Sequence, residues 1–149
     1  MLGALFSSWC GSYRSSSGPP GNGESIDQLH DRCARTLANI IRRVDEQERH
    51  EDVSLLICTH AAPLIAMGRV LTGYMPEDTA EQDFKTFTCG ILLFERRSSG
   101  RNQGVIDNSI TDGRSPPVDW KDGKGLEGGW DCVLNGDCRH LTGGQERAW

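Results

Sequence analysis

The stretch Val53-Ser54-Leu55-Leu56-Ile57-Cys58-Thr59 is apolar apart from two hydroxyls, ends in His60, and passes at once through Ala61-Ala62-Pro63 into an apolar helical pattern. A continuous apolar run of strand length suits a strand covered on both faces, as at the centre of a mostly parallel sheet. A strand that hands over directly to a helix restricts the chain to an α/β architecture. The handover also sets the His60 imidazole at the carboxyl edge of the sheet, beside the unpaired N–H groups and positive dipole end of the next helix. Open α/β sheets collect ligands at that edge, so His60 is better placed for chemistry than the other histidines. The competing reading is a histidine that ends a strand for packing alone.

Upstream, Ser25 and Gln28 have the spacing of a capping box, and Ile26, Leu29, Cys33, Leu37, Ile40, Ile41 and Val44 recur at three and four. That periodicity predicts an amphipathic helix from Ser25 to about Glu48, closed by the polar run Glu48-Arg49-His50-Glu51-Asp52. Glu24, at its start, could act as a catalytic acid, but an acidic residue there is more economically a partner for the helix dipole. Arg32 and Arg35 fall on the polar face with Asp31 and Arg42, where a solvated role suffices.

Downstream, Pro63 suits a first helical turn. Leu64, Ile65, Met67, Val70 and Leu71 are expected to face inward before Gly73 stops the helix. Tyr74 to Phe84 is polar and acidic. Thr86 to Phe94 predicts another strand with Phe87, Cys89, Ile91 and Leu93 on one side. Ser12 to Asn22 reads as a loop. Ser98 to Gly128 reads as a linker or insertion too poor in apolar residues to hold a core. After it, Trp130, Cys132 and Leu134 alternate like a short strand, and Asn135-Gly136 signals a turn.

Net charge is −5 with both signs interspersed, so the basic face that direct nucleic-acid binding requires is not expected. No apolar run approaches the roughly 18 residues of a membrane span, and the opening residues do not form a convincing signal peptide. Of six cysteines, Cys33, Cys58 and Cys89 fall on predicted apolar faces, where a free thiol is a small hydrophobe, so a reducing, intracellular compartment is the expectation. Cys132, Cys138 and His140 make the one metal-like cluster, with the wrong spacing for a zinc knuckle and no fourth ligand, so no metal or other cofactor is expected.

Several runs, taken in order, resemble a known family. Asn22-Gly23-Glu24-Ser25-Ile26-Asp27-Gln28-Leu29-His30-Asp31-Arg32, then Thr59-His60-Ala61, then the helix from Pro63 to Leu71 are similar to the C-terminal half of a histidine phosphatase of the phosphoglycerate-mutase-like superfamily, over about Phe6 to Arg97. The runs Ile57 to Pro63, Leu71 to Asp78, Gly129 to Cys138 and Leu141 to Trp149 resemble the fungal branch that includes the phosphatase-like subunit of the RNA polymerase III transcription factor complex.

The resemblance implies a three-layer α/β/α sandwich with its N-terminal portion missing. Residues 1–97 would form a partial domain, irregular over 1–23 with a helix-strand-helix-strand core over 24–97. Residues 98–128 would be a flexible linker and 129–149 the closing strand and tail of the same domain. It implies phosphomonoester hydrolysis through a phosphohistidine, yet the family's Arg-His-Gly nucleophile triplet occurs nowhere in the chain. The helix start that carries a second phosphate-binding arginine is also lacking. In Leu5-Phe6-Ser7-Ser8-Trp9, Ser8 stands where the branch has its glutamate acid, and a serine hydroxyl cannot serve as a tuned general acid.

By the same resemblance His60 would stabilise transferring charge without being the nucleophile, and His60 with the Ala61 N–H would bind phosphate. The expectation is a phosphatase-like protein, inactive in this form, with weak affinity for phosphate or a phosphomonoester. The alternative is a non-catalytic scaffold with protein partners in the polymerase III transcription complex, cytoplasmic or nuclear, touching neither nucleic acid nor membrane. Lacking flanking strands, Val53 to Thr59 would present an open edge, and self-association is expected.

Overall fold

A computed structural model describes residues 18–47, 53–97 and 118–146. Helix α1 spans Ile26–Gln47 and helix α2 Ala61–Thr72. Strand β1 spans Ile91–Arg96, a single 3-10 turn covers Leu126–Gly128, and strand β2 spans Trp130–Asp137. This mixture of helix and strand agrees with an α/β class, while the three layers and the missing portion go beyond what these residues display.

α1 begins as its sequence dictates. The Ser25 N–H donates to Gln28 Oε1 at 2.8 Å and the Gln28 N–H donates to Ser25 Oγ at 3.2 Å, a reciprocal cap for two otherwise orphaned donors. Its buried stripe is His30, Cys33, Ala34, Leu37, Ala38 and Ile41, which corrects the expected face. Ile26 is exposed, Leu29, Ile40 and Val44 are half-buried, and two alanines and a histidine take the centre. Small side chains let the neighbouring backbone approach, a property that a hydrophobicity pattern underweights.

Those neighbours are α2 and the segment from Val118 to Trp130. The core unites Ala34, Leu37, Ala38 and Ile41 of α1 with Val70 of α2 and with Trp120 and Leu126. Met67, Leu71, Met75, Val118 and Trp130 pack around it. The expectation that 98–128 contributes nothing to a core therefore fails at its C-terminal end, where Trp120 and Leu126 are among the largest fully buried side chains. Two apolar residues suffice there because each falls into the groove between the helices; the stretch 98–117 lies outside the described residues.

α2 closes at Gly73, whose left-handed φ of 80° suits glycine and whose N–H donates to the Arg69 carbonyl at 2.9 Å. Gly73 also receives the Gly123 N–H on its own carbonyl at 2.9 Å. A Cβ on Gly73 would collide with the backbone of Gly123, Lys124 and Gly125. The far end of α2 is thus clamped, backbone to backbone, by the 123–125 turn. Further along, Gly68 lies flat against the Phe84 ring, which meets Phe94 of β1 with centroids 5.8 Å apart.

β1 and β2 pair antiparallel, with Phe94 opposite Cys132 and Arg96 opposite Trp130. Trp130, Cys132 and Leu134 are all half-buried on one face, as their alternation predicts. Two expectations about this sheet are corrected. Pairing starts only at Ile91, because Cys89 turns into the left-handed region at φ 56° and the Gly90 N–H closes a turn on the Phe87 carbonyl. Leu92 and Phe94 face inward while Ile91 and Leu93 are exposed, the opposite of the expected side. Asn135-Gly136 likewise lies within β2, its amide held by Lys85 N–H at 2.8 Å and the Asp83 carbonyl at 2.9 Å, rather than forming a terminal turn.

The largest correction concerns Val53 to Thr59. It is neither paired nor covered: among the described residues it belongs to no strand, and every one of its side chains is exposed. Among the described residues the sheet has two strands, β1 and β2, and Val53 to Thr59 does not join it.

Candidate functional site

His60 occupies the N-cap of α2 in an extended conformation, φ −91° and ψ 168°, as expected from its place before Ala61-Ala62-Pro63. Its side chain makes no cap bond to the helix, and its carbonyl accepts the Leu64 N–H at 3.0 Å. Pro63 contributes no N–H, so the Ala61 and Ala62 amides are the free donors of this helix mouth. The imidazole and Ala62 are exposed and Ala61 is half-buried. The site is therefore a convex helix start with a histidine on its rim. Two clefts of about 310 and 290 Å³, the first lined by Asp137, Cys138 and Arg139 and the second by Asp31, Val118 and Trp120, do not include His60.

Glu24 is held by Arg32 instead of standing ready to donate a proton. Arg32 Nε donates to Glu24 Oε2 at 2.8 Å, and Arg32 Nη2 bonds to Oε1. That guanidinium keeps the Glu24 carboxyl below its ordinary 4.5, so the group is ionised at neutral pH and unsuited to act as an acid. Arg32 is thereby half-covered and paired, not one more residue of a solvated face. The depressed carboxyl adds stability above the ordinary glutamate range, and this is lost as pH falls through the folded-state value. Arg32→Ala is expected to return the Glu24 titration toward 4.5, read by the side-chain carboxyl carbon in a pH series by NMR; an unmoved titration would refute the pairing as its cause.

Two buried polar groups escape the pattern of the sequence. Arg69, 2% exposed, donates to both Asp83 oxygens at 2.7 and 3.0 Å and to the Thr79 and Glu81 carbonyls. This pins the acidic loop after α2 to the helix. His30, 3% exposed, donates from Nδ1 to the Ile26 carbonyl at 2.7 Å and stacks on Trp120 at 12° between rings. Its Nε2 is buried without a partner among the described residues. An arginine inside the apolar repeat Ala66-Met67-Gly68-Arg69-Val70 was the available signal for the first. The second carried none.

The described cysteines are all free, and Cys58 and Cys89 are exposed rather than on apolar faces. Burial pushes the Cys33 and Cys132 thiols up, which favours the protonated, unreactive form. Cys132 and Cys138 donate to the Leu134 and Gly136 carbonyls, and the described residues hold no group of three or more metal-ligating side chains. Ser8 lies outside the described residues. No helix among the described residues is long and apolar enough to cross a membrane.

A family model described as histidine phosphatase superfamily (branch 1) matches residues 4–106, more than two thirds of the chain. The match includes α1, His60, α2 and β1, and it stops short of Trp120, Leu126 and β2. No curated protein matches the chain.

Proposed function

This chain belongs to the histidine phosphatase superfamily, and from that premise we propose that it is a phosphatase-like protein that binds a phosphate-type anion at His60 and the Ala61 N–H without turning it over. The observation that carries this reading is the uncapped start of α2, where free amides, the helix dipole and an exposed imidazole converge. The anion would accept hydrogen bonds from the Ala61 N–H and from the imidazole, the second being charge-assisted when the ring is protonated. Hydrolysis through a phosphohistidine needs an attacking histidine and an acid for the leaving oxygen. The chain carries no Arg-His-Gly, and Glu24, the acid at the start of α1 that could have served, is committed to Arg32.

Titration with inorganic phosphate should shift the backbone amides of residues 59–62. His60→Ala should weaken that binding roughly threefold to tenfold, the ~1 kcal/mol of one exposed hydrogen bond to an anion. The purified chain should hydrolyse an aryl phosphate no faster than buffer. Shifts confined to the arginines of α1, or turnover that disappears in His60→Ala, would sink the proposal.

A second reading, a non-catalytic interaction subunit of the kind found in the RNA polymerase III transcription factor complex, draws support from the exposed apolar run at 53–57. Its affiliation rests on resemblance alone.

A further inference from the structure

Two free cysteines, one exposed and one enclosed, flank the place where the ladder of β1 and β2 ends. Cys89 is exposed in the turn before β1, and Cys138, directly after β2, is 7% exposed. We propose that these two thiols form a reversible disulfide when the chain meets a peroxide, a modification that staples the start of β1 to the end of β2. The proposal does not depend on the phosphate-binding reading.

Register brings them together. The outermost paired residues are Ile91 and Asp137, so Gly90 and Cys138 come next on the two strands, with Cys89 one residue farther out. The approach is close: a Cβ built on Gly90 would lie 3.5 Å from Cys138 Sγ. Diagonal neighbours at the end of an antiparallel pair have Cα atoms about 6 Å apart, inside the window of about 4.4–6.8 Å that a disulfide spans. The left-handed φ of 56° at Cys89 carries the chain off the ladder into the turn that the Gly90 N–H closes on the Phe87 carbonyl. Bond formation asks that turn to rotate, and Gly90 supplies the backbone freedom.

Exposure divides the labour between the two thiols. The accessible Cys89 sulfur attacks one peroxide oxygen, the O–O bond breaks, and a sulfenic acid forms with release of one water. The Cys138 sulfur then attacks the Cys89 sulfur, loses its proton and displaces the hydroxyl as a second water. Two thiols together give up two electrons, and one peroxide is reduced to two waters. A small thiol reverses the bond by exchange, so the staple is transient wherever the surroundings are reducing. Other described thiols are poorer partners: Cys132 sits opposite Phe94, five residues along the chain from Cys89, and burial in α1 keeps Cys33 protonated. The closed loop contains Val118 to Trp130, the segment that fills the core, so oxidation should also stabilise the fold.

Treating the dilute full chain with hydrogen peroxide, blocking the remaining thiols and mapping tryptic peptides by mass spectrometry without reductant tests this. Peptides 86–96 and 125–139 should appear joined, with the loss of two hydrogens, and should separate on adding dithiothreitol. The second peptide also holds Cys132, so Cys132→Ser should leave the link in place. Cys89→Ser, at an exposed position outside every helix and strand, should abolish it without disturbing the packed core. The oxidised wild type should unfold at a higher denaturant midpoint than the reduced chain, and Cys89→Ser should show no such rise. A link that survives Cys89→Ser, a link from Cys89 to Cys58 or to a second chain, or Cys89 oxidised to sulfinic acid while Cys138 stays free would each overturn the proposal.

Discussion

Trp120→Ala is expected to lower the unfolding free energy by about 3–5 kcal/mol, the range for removing a fully enclosed indole. The ring is 1% exposed, fills the groove between α1 and α2 beside Ala34, Leu37 and Val70, and carries His30 stacked on one face. Ala34 and Ala38 of α1, in the same core cluster, are too short to fill the space an indole would leave. Against a total stability of about 5–15 kcal/mol for an ordinary domain, such a loss is a large share of the margin and brings a domain at the low end of that range close to its unfolding midpoint. Denaturant titration followed by helical circular dichroism reads it directly. Trp130→Ala, at a half-buried ring, should cost less. A Trp120→Ala chain with the wild-type midpoint would show that the segment after Val118 does not belong to the core.

Asp83→Ala should be comparably severe, by about 3–5 kcal/mol, because it strands the Arg69 guanidinium at 2% exposure with only the Thr79 and Glu81 carbonyls for company. The cost is that of an uncompensated buried charge rather than of one lost hydrogen bond. The double variant Arg69→Met with Asp83→Leu removes both charges together and should recover much of the loss. It also fixes the expected salt response: added salt screens surface pairs such as Arg42 with Glu127 but leaves the enclosed Arg69–Asp83 pair nearly untouched. A double variant as unstable as Asp83→Ala would show that the arginine's carbonyl bonds, and not its charge balance, hold the loop.

The elements readable in the sequence are those whose signals are local. The Ser25–Gln28 cap, Pro63 in a first turn, Gly73 as a stop and the alternation of Trp130, Cys132 and Leu134 each depend on residues within four positions of one another, and each appears in the structure. His60 at the helix mouth was legible for the same reason. What failed depends on distant partners. Whether Val53 to Thr59 is a strand is decided by its neighbours, not by its own side chains, and Trp120 is core only because two helices open a groove for it. Glu24 and Arg32, eight positions apart, were each assigned a helix-surface role that their mutual bond replaces.

The burial of α2 runs in one direction. Its last turns are enclosed at Ala66, Gly68, Arg69 and Val70 and clamped by the 123–125 turn, while its first turn is at most half-buried, with Ala62 exposed, and follows a lead-in exposed throughout 53–60. The helix is a cantilever, fixed at the end away from His60. Its free end is the part with most conformational entropy left to lose, so an anion arriving there must order the amides it uses before it can be held by them. Affinity at this mouth is therefore governed less by the donors themselves than by whatever stiffens the chain before His60, and mutations that never touch the anion can set how tightly it binds.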